Sequence, residues 1–317
     1  MTPLIGSVRV GMSSAPSNPA EGELYYDTDD NVLYAYSGTS WLAVSAAFAT
    51  GGTETTYSGY KVHTFTSNGT FSVSGGVLVC DILIVAGGGS GGGDNGGGGG
   101  AGGMLEIESH TVSSQEHSIV IGAGAAARAG AADDGPGSKG SNSTGFGYTA
   151  IGGGAGTGWV NSGGAGTLSG GSGGGQSTSN NARNPQSPGS GTSGQGNAGG
   201  EGYSGGNWSG GGGGAGSVGS DGGNGVAGTG GTGKANNWRT GSNVTYCGGG
   251  TGGWNAAQSY TSSGHGSNNG VTKNTTDDPS GEGACAANTG HGGHGSNHDN
   301  NTSGAGGSGI VVIRYAA

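Results

Sequence analysis

Residues Ala86 to Gly103 read AGGGSGGGDNGGGGGAGG. By composition this is a linker, because Gly/Ser-rich chains behave as flexible coils. Its flanks argue otherwise. Val77–Val85 (VLVCDILIV) precedes it and Met104–Val112 (MLEIESHTV) follows it. Both are rich in the apolar and β-branched residues that suit strands. A glycine run clamped at both ends by strands decides the fold through the one conformation it adopts.

Glycine has no Cβ and reaches extended left-handed geometry freely, with three residues per turn and about 3.1 Å rise. Collagen places glycine at every third position because only glycine fits its crowded axis. Here glycine comes in solid blocks, at 152–154, 173–175, 210–214 and 248–250, extended by Ala or Ser. All faces of such a helix are bare, so neighbours pack on every side and pair N–H with C=O. The expectation is a bundle of short polyglycine-II helices. Ordering glycine is entropically costly, so their ends need clamping by a β-scaffold. The alternative is a disordered Gly/Ser insertion.

The composition agrees with a backbone-built core. The 317 residues include 86 Gly, with 29% hydrophobic and 9% charged residues. Large aliphatic side chains can therefore fill only part of the interior. Net charge is −10, and no Lys/Arg cluster occurs, which argues against nucleic acid or an anionic membrane surface as main partner. Val77–Ala86 is too short to span a bilayer, and MTPLIGSVRVGMSS lacks the order of a signal peptide. Three cysteines, Cys80, Cys247 and Cys285, are too few and too odd in number for a disulfide framework. These features fit a protein made in a cytoplasm and used in a virion, and equally an ordinary cytosolic protein.

The expected fold class is mostly β and irregular, with almost no α-helix. Residues 1–45 read as a small β-meander, with strands at Leu24–Asp27 and Val32–Tyr36 around Asp29-Asp30-Asn31. It is too small to bury Tyr25, Tyr26, Tyr34, Tyr36 and Trp41 alone, so oligomerisation is expected there. Residues 46–60 read as a connector. Residues 61–125 and 305–317 read as the β-scaffold: KVHTFTSNGTFSV suggests a hairpin around Asn68-Gly69, His117–Ile121 another strand, and Gly309–Tyr315 a last strand returning to the sheet. Residues 126–304 read as the glycine-rich bundle. The segments between its blocks (128–149, 176–193, 201–208, 234–247 and 254–289) read as display loops.

Those loops carry Trp159, Tyr203, Trp208, Trp238, Tyr246, Trp254 and Tyr260 among Asn, Ser, Thr and Gln. An aromatic with an apolar face and polar edge suits sugar stacking and protein hot spots, and these are the residue types of antibody loops. They are the candidate receptor-binding residues, about half of them expected to serve as packing plugs instead.

HTFTSNGTFSV, VLVCDILIVAGGGSGGG and the terminal GSGIVVIRY together resemble the glycine-rich receptor-binding domain of bacteriophage tail fibres, related to the tip adhesins of T-even-type long tail fibres. GELYYDT and LYAYSGTSW are similar to short β-modules of phage fibre chains, which are generally homotrimers. The resemblance covers about 1–45 and 61–317. It implies a virion protein, synthesised in the host cytoplasm, that joins other tail-fibre or baseplate proteins and binds a bacterial cell-surface receptor, an outer-membrane protein or a polysaccharide, without enzymatic activity. No family motif marks the binding residues. The T-even tip adhesin is a separate monomeric cap, whereas this chain has its own fibre module, so copy number stays open. A glycine-rich filament protein and a polysaccharide depolymerase are the alternatives.

Several motifs have plainer explanations. Gly228–Ala235 (GTGGTGKA) lacks the Ser/Thr after lysine and the strand-then-helix context of a P-loop. The G-x-S-x-G strings at Ser172 and Ser204 lack a nucleophile elbow. His291, His294 and His298, with Asp299, have a spacing that permits a transition metal, but a hydrogen-bonded polar loop explains them as well, and no cofactor or metal is expected. Asp133-Asp134 and Asp277-Asp278 lack EF-hand spacing and read as turns. No membrane insertion is expected.

Overall fold

The computed structural model describes residues 8–29, 32–44, 47–128, 135–159, 168–178, 187–254, 285–297 and 302–317. Among these the protein is all-β, in several small sheets. The expected turn residues Asp30 and Asn31 lie outside them.

The N-terminal sheet has the order β1 (Val8–Met12), β2 (Leu24–Asp27), β3 (Val32–Tyr36), β4 (Trp41–Ala43). Tyr25 lies opposite Tyr34 in the ladder, stacks on it at 5.1 Å and meets the edge of Trp41 at 4.7 Å. This local aromatic cluster buries Tyr25 without help from a second chain. Leu42 and Val44 stay exposed.

Residues expected as a connector supply two strands of the scaffold, β5 (Phe48–Thr50) and β6 (Thr53–Tyr57). The scaffold continues with β7 (Tyr60–Phe65), β8 (Gly69–Ser74), β9 (Leu78–Val85), β10 (Met104–Val112) and β11 (Glu116–Ile119). Two hairpins follow, β12 (Ser143–Gly145) with β13 (Tyr148–Ala150) and β14 (Lys234–Asn236) with β15 (Val244–Tyr246); β16 (Ile310–Ala316) comes last. A five-stranded sheet runs β10-β9-β16-β7-β6 and a three-stranded sheet runs β11-β8-β5. The Asn68-Gly69 hairpin is therefore not formed: β7 and β8 belong to different sheets. The turn instead carries the chain between layers, with the Phe65 ring against Gly69 and Asn68 Oδ1 accepting the Ile121 N–H at 2.8 Å.

β16 explains that separation. It is apolar on both faces and inserts between β7 and β9, antiparallel to each. Ile82, Ile84, Val311 and Ile313 face Phe71 and Ile119 on one side; Leu83, Val85, Ile310 and Val312 face Trp238 and Tyr246 on the other. Each such fully buried side chain contributes roughly 1.5–3 kcal/mol. Asp81, the one charge in the β9 run, pairs with Arg314 of β16 at 3.0 Å, and Arg314 lies over the rings of Tyr60 and Trp238.

From this sheet rises the glycine bundle. Residues 86–93 leave β9 and residues 96–103 return to β10. The N–H groups of Ala86, Gly89 and Gly92 donate to Gly103, Gly100 and Gly97 (3.0, 2.9 and 3.0 Å). Those of Gly87, Ser90 and Gly93 donate to Ser141, Ser138 and Gly135, each at 3.0 Å. Those of Gly88 and Gly91 donate to Gly307 and Gly304. Every direction is served by each third residue, which is the three-residue turn of polyglycine II. The returning strand does the same: Gly97, Gly100 and Gly103 donate to Thr157, Gly154 and Ile151, while Gly96, Gly99 and Gly102 donate to Ser296, Gly293 and Gly290. The segment with a linker's composition is thus the buried axis of the molecule.

Backbones this close leave no room for a side chain. A Cβ on Gly100 would fall on the carbonyl oxygen of Ser172, whereas one on Gly223 would meet nothing. Gly100→Ala is expected to cost about 3 kcal/mol or more, or to prevent folding, and Gly223→Ala to stay within about 0.5 kcal/mol. Denaturant unfolding of both variants checks this; equal stabilities would refute a close-packed backbone core.

Candidate functional site

The hydrogen-bond register fixes which end of each segment faces away from the sheet. Eight residues climb from β9 before the chain reverses at Asp94-Asn95, about 25 Å at polyglycine-II rise. Both residues have positive φ (39° and 49°), a conformation that Asn and Asp tolerate. This turn marks the distal end.

Three tryptophans surround it. Trp159 N–H donates to the Gly93 carbonyl at 3.2 Å. Ser209, next to Trp208, donates its hydroxyl to the Asn95 carbonyl, and Trp208 forms a β-bridge with Trp254. Tyr203 joins them: its N–H donates to the Trp208 carbonyl at 2.8 Å and the two rings lie 5.7 Å apart. Trp208 is buried, at 7% exposure, while Trp159, Tyr203 and Trp254 are half-buried. Of the candidate aromatics, four therefore share one end, with Trp208 as the plug beneath the others.

Two candidates lie elsewhere. Trp238 and Tyr246 pack under the sheet with Leu83 and Val312, and Tyr246 is 0% exposed. They have no face to offer a ligand. The 234–247 segment is a clamp rather than a display loop: Glu106 of β10 accepts from Lys234 and, at 2.7 Å, from Asn236 Nδ2, and Tyr57 Oη donates to the Trp238 carbonyl at 2.9 Å. Tyr260 lies outside the described residues, as do Asp133-Asp134, Asp277-Asp278, His298 and Asp299.

His291 and His294 are both buried in the bundle. His291 Nδ1 accepts the Gly248 N–H at 2.9 Å, so that lone pair is committed to the backbone. Among the described residues, no three His, Cys, Asp or Glu side chains come together as a metal site. In the P-loop-like string the N–H groups of Gly228 and Gly231 serve the bundle, donating to Ser209 and Gly212, and β14 follows rather than a helix. Ser172 is fully buried. The cysteines are free, and burial pushes the Cys80 and Cys285 thiols up to about 12, far from reactive thiolate.

Composition alone does not separate Trp254 from Trp238. Position follows instead from the hydrogen-bond register: residues 248–253 and 290–296 both run toward the distal turn, pairing with residues 96–102.

Fold and site together define an all-β protein whose second core is made of backbone. The family model described as a glycine-rich domain matches residues 64–316, and the chain belongs to that family. Among curated proteins no match is found.

Burial holds His291 neutral and lowers its pKa to about 4. The unfolded chain takes up this proton first, near pH 6.5. The associated stability is complete above pH 6.5 and is lost as pH falls toward 4, by about 3 kcal/mol in all. Asparagine at 291 keeps an acceptor for Gly248 without a proton to bind. Denaturant unfolding between pH 7 and pH 4 should show a shallower loss for His291→Asn than for the unchanged protein; identical slopes would remove His291 as the cause.

Proposed function

We propose that the protein is a non-enzymatic adhesin of a phage tail fibre, which binds a bacterial surface receptor through the distal end of its glycine bundle. The observation that carries this reading is the gathering of Trp159, Tyr203, Trp208 and Trp254 around the Asp94-Asn95 turn, opposite the sheet. Half-buried aromatics held in place on rigid backbone lose little side-chain freedom on binding. The low charge of the chain favours a contact made by shape and hydrogen bonding over one made by ion pairing. The resemblance to phage fibre domains supplies the biological setting: a virion protein, made in the host cytoplasm and attached to other fibre or baseplate proteins. The exposed Leu42 and Val44 of the N-terminal sheet favour self-association there, as a homotrimer, and several copies of a weak site would raise avidity.

Fluorescently labelled protein on a panel of intact bacteria tests this. Saturable binding to a few strains is expected, and protease or periodate treatment of those cells distinguishes protein from glycan. Trp159→Ala and Trp254→Ala should each weaken binding by about tenfold or more, in the range of hot-spot truncations, with melting unchanged. Absence of binding to any strain, or full binding by both variants, would overturn the reading.

A further inference from the structure

At and beside the Asp94-Asn95 turn, three buried side-chain oxygens lack a hydrogen-bond partner in the protein. Asn95 is 0% exposed. Its Nδ2 donates to Asp94 Oδ1 at 3.3 Å, which leaves Oδ1 on the other edge of the amide, buried and without a hydrogen-bond partner. Ser296-Asn297 lie directly against both strands of the turn: Gly96 N–H donates to the Ser296 carbonyl at 3.1 Å, and Ser296 N–H donates to the Gly92 carbonyl at 3.0 Å. Ser296 Oγ and Asn297 Oδ1 are likewise buried and without a partner. These backbone N–H groups are already used by the bundle. A buried acceptor left unsatisfied is costly, and native proteins fill such places with ordered water or ions.

The unsatisfied atoms are all oxygens, two amide carbonyls and a hydroxyl, and the Asp94 carboxylate, which accepts from Asn95 Nδ2, adjoins them. That is the chemistry of a hard cation. Magnesium demands a near-ideal octahedron and gives up its waters reluctantly, whereas calcium accepts Asn carbonyls in a flexible shell. Arg128 sits on another flank of residues 86–93, where its Nη1 donates to the Pro136 carbonyl.

We propose that the distal turn binds a calcium ion through Asn95 Oδ1, Asn297 Oδ1, Ser296 Oγ and the Asp94 carboxylate. With one formal charge among the ligands the affinity belongs to the weak class of extracellular modules, about 10⁻⁴–10⁻³ M. The ion ties the turn to the segment that carries Ser296 and Asn297, and so fixes the platform that carries Trp159, Trp208 and Trp254. The site is independent of the adhesin reading and is tested without a host cell.

Terbium is the probe, because the surrounding tryptophans are placed to sensitise it. With the full chain, excitation of tryptophan should raise terbium emission several-fold, millimolar calcium should displace it, and calcium should raise the melting temperature relative to chelator. Asn95→Gly suits the positive φ and removes one ligand; Asn297→Ala removes another. Each should weaken calcium binding by at least about tenfold, the lower range for losing even an outer-shell partner. Without calcium, Asn95→Gly should melt no lower than the unchanged protein, because it deletes an unsatisfied acceptor. The proposal is overturned if calcium shifts neither emission nor melting, which would assign the space to water. It is also overturned if Asn297→Ala binds calcium as the unchanged protein does, which would put the ion elsewhere.

Discussion

Backbone amides must be paired when water is excluded. Most folds meet this demand within helices and sheets, then bury side chains to gain stability. Here the two tasks are separated. The sheet built from β7, β9, β10 and β16 buries side chains on both faces. The bundle above it has almost none to bury, and packs main chain against main chain. Every third residue points to the same neighbour, so each segment is held from several sides, and loss of one segment would orphan donors on all of them. Order in the bundle therefore comes from its connectivity, since each glycine resists ordering.

This explains what was legible in the sequence. Solid glycine blocks between β-rich runs specify a backbone-packed bundle because no other residue permits the spacing. VLVCDILIV and GIVVIRY announce strands buried on both faces, and the Asp81–Arg314 pair accounts for their two charges. Pairing between distant segments was harder to see. Asn68-Gly69 has the local chemistry of a hairpin, yet β16 takes the place beside β7 that β8 would have filled. The β12–β13 hairpin turns at Phe146-Gly147, where Phe146 has φ of +55°. Phenylalanine has no intrinsic preference for that conformation; its ring packs near Phe71 at 5.8 Å and closes the core.

The site was legible by residue type and not by position. The described candidate aromatics divide into those that seal the sheet, Trp238 and Tyr246, and those at the opposite end, Trp159, Tyr203, Trp208 and Trp254. Sequence context is similar for both groups, with Gly, Asn and Thr around each. Position is decided by register across the bundle, which depends on hydrogen bonds between segments far apart in the chain. Asn95 and Asn297 were missed for the same reason: each looks like an ordinary polar turn residue until the other is placed beside it.

The central strand of the scaffold also sets an order of events. β16 lies between β7 and β9, yet it follows the whole glycine-rich region in the chain. During synthesis β7, β8, β9 and β10 emerge first and must wait with a gap between β7 and β9. Residues 86–103 emerge between β9 and β10 and the other glycine segments after β10, all before the sheet that clamps them is closed. Loop closure over so long a segment adds little to the equilibrium cost, since that cost grows only with the logarithm of length. Its effect is on rate, because non-local pairing slows folding and leaves strand edges open in the meantime. The architecture that makes the finished molecule rigid thus gives it a long, exposed interval before it is finished.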